Sequence, residues 1–274
     1  MAFSTPSRVL RVGAVSYLNT KPLIFEFERF AAQAELSLDV PSRLADRLAV
    51  SDLDLGLIPV VECLAQPAYR IVSDACIACR GPVLSVKLLS RVPIAEIRTL
   101  ALDEGSRTSA ALIQVLLWRR CGLRPTRHNL PLEARPESVD TDAVLLIGDR
   151  AIHAARDVFA FAWDLGEEWC RETGLPFVFA VWAARPGVQT AEIEQVLCRA
   201  RDAGVAHLSE IARREASGVG LPESACLAYL QDNLHFTLGP DERRGLILFH
   251  EFARELGLVP AVSASQWELT QTGT

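Results

Sequence analysis

Over the first part of the chain, apolar residues gather in short runs separated by amphipathic stretches. Residues 9–15 read as a buried strand, 36–40 as a second, and 54–58 as a third that stops at Pro59. After the first strand, Ser16-Tyr17-Leu18-Asn19-Thr20-Lys21-Pro22 offers Asn19 and Thr20 as N-caps and puts Pro22 in the first turn of a helix expected to reach about Ala31. Ser42 is the expected cap of a helix over residues 43–51. Strands alternating with helices in this order predict a parallel sheet with crossover helices.

The rhythm changes at Tyr69. Residues 69–79 and 83–90 are strand-like runs separated only by Arg80-Gly81-Pro82, with no helix between them. A second α/β stretch follows: strand 99–102, polar loop 103–107, helix 108–121, strand 143–147, a helix from about Asp149, and an apolar strand over 177–183. Beyond Pro186 the pattern is helical, over 191–216, 223–233 and 241–256, and a polar tail after Pro260 is expected to fray. This succession predicts an α/β fold of two lobes. Lobe one is expected to take residues 1–90 plus 186–274 and lobe two residues 91–185, with crossovers near 83–90 and 177–184. The ligand cleft belongs between the lobes, at the carboxyl ends of the strands.

Composition narrows the function classes. A chain of 274 residues, 50% hydrophobic, can bury two cores and is not disordered. A net charge of −6 argues against a nucleic-acid partner, which would select a basic face. No segment approaches the roughly 20 apolar residues of a membrane span, and Met1 to Arg11 holds no apolar run suited to a signal peptide. The protein is therefore expected to be cytoplasmic, with no membrane partner; a homodimer is compatible with these features. The seven cysteines are odd in number and scattered, and the C-x-x-C of Cys76 and Cys79 lies inside a strand-like run without a second ligand pair. They are expected to be reduced and structural, with no metal.

Three strand-to-helix loops are rich in hydroxyl and amide side chains: Ser16 to Lys21; Ser106-Arg107-Thr108-Ser109, which opens a helix directly; and Gly148-Asp149-Arg150. Ser85 joins them if residues 83–90 cross between lobes. Any one such loop is ordinarily a helix cap. Several converging on one cleft make a carboxylate or phosphate site from N–H groups and hydroxyls. Lys21, Arg80, Arg107 and Arg150 stand near these loops, although pairing at the surface is the commoner fate of an arginine. The sequence carries no G-x-S-x-G elbow, Walker loop, G-x-G-x-x-G after a strand, or H-E-x-x-H. Among His128, His153, His207, His235 and His250, His153 alone sits where acid–base chemistry is plausible, and Glu62 is better read as a solvated helix position. The residues thus describe a two-lobed protein for a small carboxylated molecule and leave enzyme and receptor both open.

Several motifs, however, resemble one family in order along the chain. Val12-Gly13-Ala14-Val15-Ser16-Tyr17-Leu18-Asn19-Thr20-Lys21-Pro22-Leu23 closely resembles the N-terminal signature of the chorismate dehydratases of the futalosine route to menaquinone. Asp54-Leu55-Gly56-Leu57-Ile58-Pro59-Val60, Gly81-Pro82-Val83-Leu84-Ser85-Val86, Asp103 with Ser106 to Ser109, and Leu145-Leu146-Ile147-Gly148-Asp149-Arg150-Ala151 resemble its further landmarks. So do Asp164-Leu165-Gly166-Glu167-Glu168-Trp169 and Gly174 to Ala180. The resemblance spans residues 9–185.

It implies a periplasmic-binding-protein type II-like fold and a hydro-lyase that removes water from chorismate to give 3-(1-carboxyvinyloxy)benzoate, with no cofactor. Aromatisation drives such a reaction, and the substrate's own enolpyruvyl carboxylate can serve as base, which suits a sparse catalytic inventory. On this footing Asn19 is the catalytic candidate. Ser16, Tyr17, Ser85, Ser106, Thr108, Ser109, Gly148 and Asp149 are the substrate-binding candidates, Asp149 either meeting a substrate hydroxyl or capping its helix. Two alternatives stand beside this reading. The sister lyase, acting on cyclic dehypoxanthine futalosine, carries a Ser-Pro-Cys-Pro-Asn-Asp-Thr-type loop where this chain has Ser16 to Thr20, and its reaction is assigned to a histidine in the second lobe. A cytoplasmic small-carboxylate sensor would use the same cleft without turnover.

Overall fold

A computed structural model describes residues 9–153 and 158–260. Its strands form two sheets. The first, six-stranded, holds β1 (Leu10–Val15), β2 (Ala34–Asp39), β3 (Leu55–Pro59), β4 (Arg70–Cys79), β10 (Phe177–Ala184) and β11 (His235–Thr237), in the order β11-β4-β10-β3-β1-β2. The second, five-stranded, holds β5 (Val86–Ser90), β6 (Thr99–Asp103), β7 (Thr126–Leu130), β8 (Ala143–Ile147) and β9 (Phe161–Asp164), in the order β7-β6-β8-β5-β9. In the first sheet β1 pairs in parallel with both β2 and β3, as the strand–helix alternation predicts, whereas β10 runs antiparallel between β3 and β4.

The helices are α1 (Phe27–Phe30), α2 (Pro41–Ala49), α3 (Val60–Ala65), α4 (Arg107–Cys121), α5 (Asp149–Ile152), α6 (Leu165–Thr173), α7 (Ala191–Ala206), α8 (Leu208–Val219), α9 (Glu223–Ala228) and α10 (Pro240–Glu255). Strand β8 is buried on both faces. Ala143, Leu145 and Ile147 join the main core, while Val144 and Leu146 face a smaller cluster with Leu89, Leu130 and Phe159. Where the sheets meet, Trp169 of α6, Phe177 of β10 and Phe249 of α10 pack edge to face, and Trp169 Nε1 donates to the Pro176 carbonyl at 3.0 Å.

Several expectations are corrected. The chain enters the second sheet with β5 and returns to the first with β10, so the boundaries expected at 90/91 and 185/186 each fall one strand late. Pairing sets this: β5 lies antiparallel between β8 and β9, and β10 between β3 and β4. The helix expected from Asn19 to Ala31 is a 3-10 turn over Leu18–Ile24 followed by the single turn of α1, with Glu26 left-handed at φ 51° between them. Tyr17 stands at its N-cap position without a side-chain cap bond, so neither Asn19 nor Thr20 caps it. Close packing holds this turn against α7, where a Cβ on Gly204 would stand 2.0 Å from the Pro22 carbonyl oxygen.

Ser42 likewise does not cap α2, which begins at Pro41 with Val40 as its cap residue. The expected helix 191–216 breaks at His207 into α7 and α8. That over 223–233 changes at Tyr229 into a π-helix, Tyr229–Asn233. Strand β7 escapes the pattern because four of its five residues are exposed. All seven cysteines are free thiols. The tail after Pro260 lies outside the described residues. Among the described residues no helix is long and apolar enough to cross a membrane.

Candidate active site

Between the two sheets lies a small cavity. The carboxyl ends of β1, β3 and β8 reach it through Val15, Pro59 and Ile147, and the start of α4 through Ser106, Thr108 and Ser109. Val83, Ser85 and Val86 enter from the crossover that leads into β5, and Phe179 and Ala180 from β10. Most of this surface is apolar, which excludes water; the polar groups are Tyr17, Asn19 and the hydroxyls of Ser85, Ser106, Thr108 and Ser109.

The start of α4 is built as a donor platform. Ser106 is its N-cap, its Oγ accepting the Ser109 N–H at 3.2 Å. Thr108 Oγ1 accepts the N–H of Val61, on α3, at 3.3 Å, which leaves its own O–H free to donate. Beneath the platform Asp103 is 2% exposed; its carboxylate accepts the N–H groups of Gly105 at 3.0 Å and Ile147 at 3.4 Å, tying the loop before α4 to the end of β8. Burial pushes the Asp103 carboxyl above its ordinary range.

Tyr17 and Gly148 meet across the cavity. Gly148 has φ 63° and ψ −150°, a region essentially reserved for glycine, and the Tyr17 ring lies directly on it. Burial, then Asp103 and Asp149, push the Tyr17 phenol far above its usual range, so it stays protonated. Deeper still, Tyr229 is 2% exposed, and its hydroxyl is in hydrogen-bonding contact with the side chains of Ser85 and Asn19. Thr20 Oγ1 donates to Asn19 Oδ1 at 3.3 Å.

The crossover is held tightly. Ser85 N–H donates to the Val83 carbonyl at 2.7 Å, a three-residue turn about Leu84, whose φ is 58°. A non-glycine residue in that region is strained, and such strain gathers at functional sites. Asp164, the cap of α6, accepts the N–H groups of Val83 at 2.9 Å and Leu84 at 2.7 Å besides those of Gly166 and Glu167.

Of the residues expected from sequence, Tyr17, Asn19, Ser85, Ser106, Thr108, Ser109 and Gly148 line this cavity. Ser16 is exposed and lies outside it. Asp149 lies outside it as well, its carboxylate accepting the Leu18 N–H instead of capping α5, and burial pushes it above the ordinary range. The four basic candidates are committed to protein acceptors. Lys21 pairs with Glu215 at 3.0 Å, Arg80 with Glu242 at 2.8 Å, and Arg150 with Asp103 at 3.4 Å. Arg107 pairs with Asp46 at 2.6 Å and with Glu62 at 3.1 Å. His153 is exposed and its Nε2 meets the Val219 carbonyl at 2.7 Å. Among the described residues, the cavity lining thus holds no charged side chain and no histidine. Sequence reasoning missed Pro41, Ile77, Phe179 and Tyr229; the prolines at strand ends mark the rim, while Tyr229 reads in sequence as one more apolar helix position.

A family model described as menaquinone biosynthesis matches residues 10–255. The chorismate dehydratase of Thermus thermophilus is 33% identical over 266 residues, covering 90% of this chain and 95% of its own. The crystal structure of an Archaeoglobus fulgidus protein superposes with a TM-score of 0.75 at 16% identity, covering 93% of this chain and 100% of that one. The periplasmic aliphatic sulphonate binding protein of Escherichia coli does so at 0.64 and 17%, covering 95% and 91%. These structural likenesses show a periplasmic-binding-protein-like fold.

Proposed function

The chain belongs to the menaquinone-biosynthesis family, and from that premise we propose that it is a chorismate dehydratase, a cytoplasmic hydro-lyase giving 3-(1-carboxyvinyloxy)benzoate. The observation that carries this reading is the convergence of Asn19, Ser85 and the α4 hydroxyls on one apolar cavity whose lining, among the described residues, has no charged or histidine side chain. Such a site suits a dicarboxylate that brings its own base.

In this reading the N–H groups and hydroxyls at the start of α4 receive one substrate carboxylate. The helix N-terminus favours an anion, and neutral dipoles fixed in place need no reorganisation as charge moves. The enolpyruvyl carboxylate then takes the proton from C3. The C3–H electron pair becomes the new ring double bond to C4 as the C4 hydroxyl departs, and that hydroxyl with one proton is the water released. Asn19, which can donate and accept but cannot act as a base, holds the reacting edge of the ring. The apolar walls exclude bulk water, and orientation supplies the remaining advantage.

His153 stands apart from the cavity, which argues against the sister lyase. The test is to incubate purified protein with chorismate and follow products by absorbance and mass spectrometry, beside an Asn19→Ala variant. An aromatic product lighter by one water, absent with the variant, is the expected result. Unchanged chorismate overturns the reading, and a thermal-shift titration then separates a chorismate sensor from the sister lyase.

A further inference from the structure

Asn19 and Ser85 approach the cavity from different segments of chain, and both touch the same buried hydroxyl, that of Tyr229. The segment carrying Tyr229 is unusual. Helix α9 passes directly into the π-helix Tyr229–Asn233, and π turns recur where a helix presents functional groups. This π turn grips the crossover at two points: Asn233 Nδ2 donates to the Pro82 carbonyl at 2.9 Å, and Tyr229 reaches Ser85 three residues further along. Between those points lies Leu84 with its φ of 58°, so the strained turn is clamped on both sides.

We propose that Tyr229 is a positioning residue for the dehydration: its phenol oxygen accepts from both Asn19 Nδ2 and Ser85 Oγ, orienting both groups toward substrate. Thr20 Oγ1 donates to Asn19 Oδ1, which occupies that oxygen as an acceptor and leaves the Asn19 amine to donate. The phenol oxygen has lone pairs for both donors, and Ser85 Oγ keeps its own lone pairs for a substrate hydroxyl. Without Tyr229 the amide and the hydroxyl would each sample other rotamers, losing orientation without losing the binding surface.

This inference rests on the dehydratase reading, so the experiment separates the two. Wild-type turnover of chorismate tests the reading alone. In that active enzyme, Tyr229→Phe keeps the buried ring and is expected to lower kcat about tenfold while KM moves less than about threefold. Coupling is read from Ser85→Ala and the double variant. Because Tyr229 also holds Asn19, adding Tyr229→Phe to Ser85→Ala should still cost activity, but clearly less than the tenfold it costs in the wild-type background. The full tenfold loss recurring in the Ser85→Ala background, or a Tyr229→Phe enzyme with wild-type kcat, overturns the inference. A readout free of substrate stands beside these: the Asn19 side-chain amide resonance, identified by its disappearance in Asn19→Ala, should shift in Tyr229→Phe protein. An unmoved resonance overturns the inference even if chorismate proves not to be the substrate.

Discussion

The ring of Tyr17 lies so close over Gly148 that a Cβ on that glycine would stand 2.8 Å from Tyr17 Cε2. The two residues come from opposite sheets, so this contact sets how the walls of the cavity meet. Gly148→Ala therefore meets two obstacles, a backbone conformation of about 1–3 kcal/mol strain for a residue with a Cβ and a displaced aromatic ring. The variant should unfold at lower denaturant and show reduced kcat/KM for chorismate. Unchanged stability and turnover would mean that the cavity does not depend on this contact.

Much of this site was legible because its parts sit at strand-to-helix junctions, where short polar runs interrupt apolar ones. Ser106 to Ser109 open α4 as the spacing predicts, and Gly148 follows the fully buried β8. What escaped depends on contacts between distant segments. The pattern around Asp149 suggests a substrate contact or a cap, yet its carboxylate goes to the Leu18 N–H, a partner no local pattern specifies. Tyr229 is invisible for the same reason, its role arising only where the π turn meets the crossover. The sheet assignments of β5 and β10 follow from pairing partners far along the chain, and these are likewise not written in strand-length patterns.

Arg107 stands beside the α4 hydroxyls, but its guanidinium is held by Asp46 and Glu62. A substrate carboxylate would have to compete with two resident carboxylates. Arg107→Gln should accordingly keep kcat/KM for chorismate within about threefold of wild type and cost at most about 1 kcal/mol of stability, as partly exposed ion pairs do. A loss of a hundredfold or more in steady-state assays would show that the arginine turns into the cavity on binding.

Asp54 predicts a pH dependence of stability. Although burial works against its charge, Arg11 and Arg185 hold its carboxyl well below the usual carboxylate range, and its 4% exposure keeps the network out of water. Because the folded state lowers this pKa, the stabilisation is fully present above the unfolded value near ~3.9 and is lost as pH falls below it. Asp54→Asn should destabilise by about 1.5–3 kcal/mol at neutral pH, and the gap from wild type should close as thermal unfolding is repeated below about pH 4. A gap that stays constant down to pH 3 would refute the assignment.

Asp164 joins two jobs in one carboxylate. It caps α6 through Gly166 at 3.0 Å and Glu167 at 3.2 Å, and it holds the crossover through Val83 and Leu84. Asp164→Ala removes acceptors from four N–H groups, two of which fix the turn that aims Ser85 into the cavity. The helix cap alone should cost about 0.5–2 kcal/mol. Asp164→Asn separates the two jobs: its amide oxygen can still cap α6, but one carboxylate oxygen is replaced by a donor facing the Leu84 N–H. The asparagine variant should therefore retain most of the stability while its kcat for chorismate falls, the alanine variant losing both. Equal kcat in wild type and Asp164→Asn would show that the crossover keeps its turn without this anchor, leaving Tyr229 and Asn233 to hold Ser85 in place.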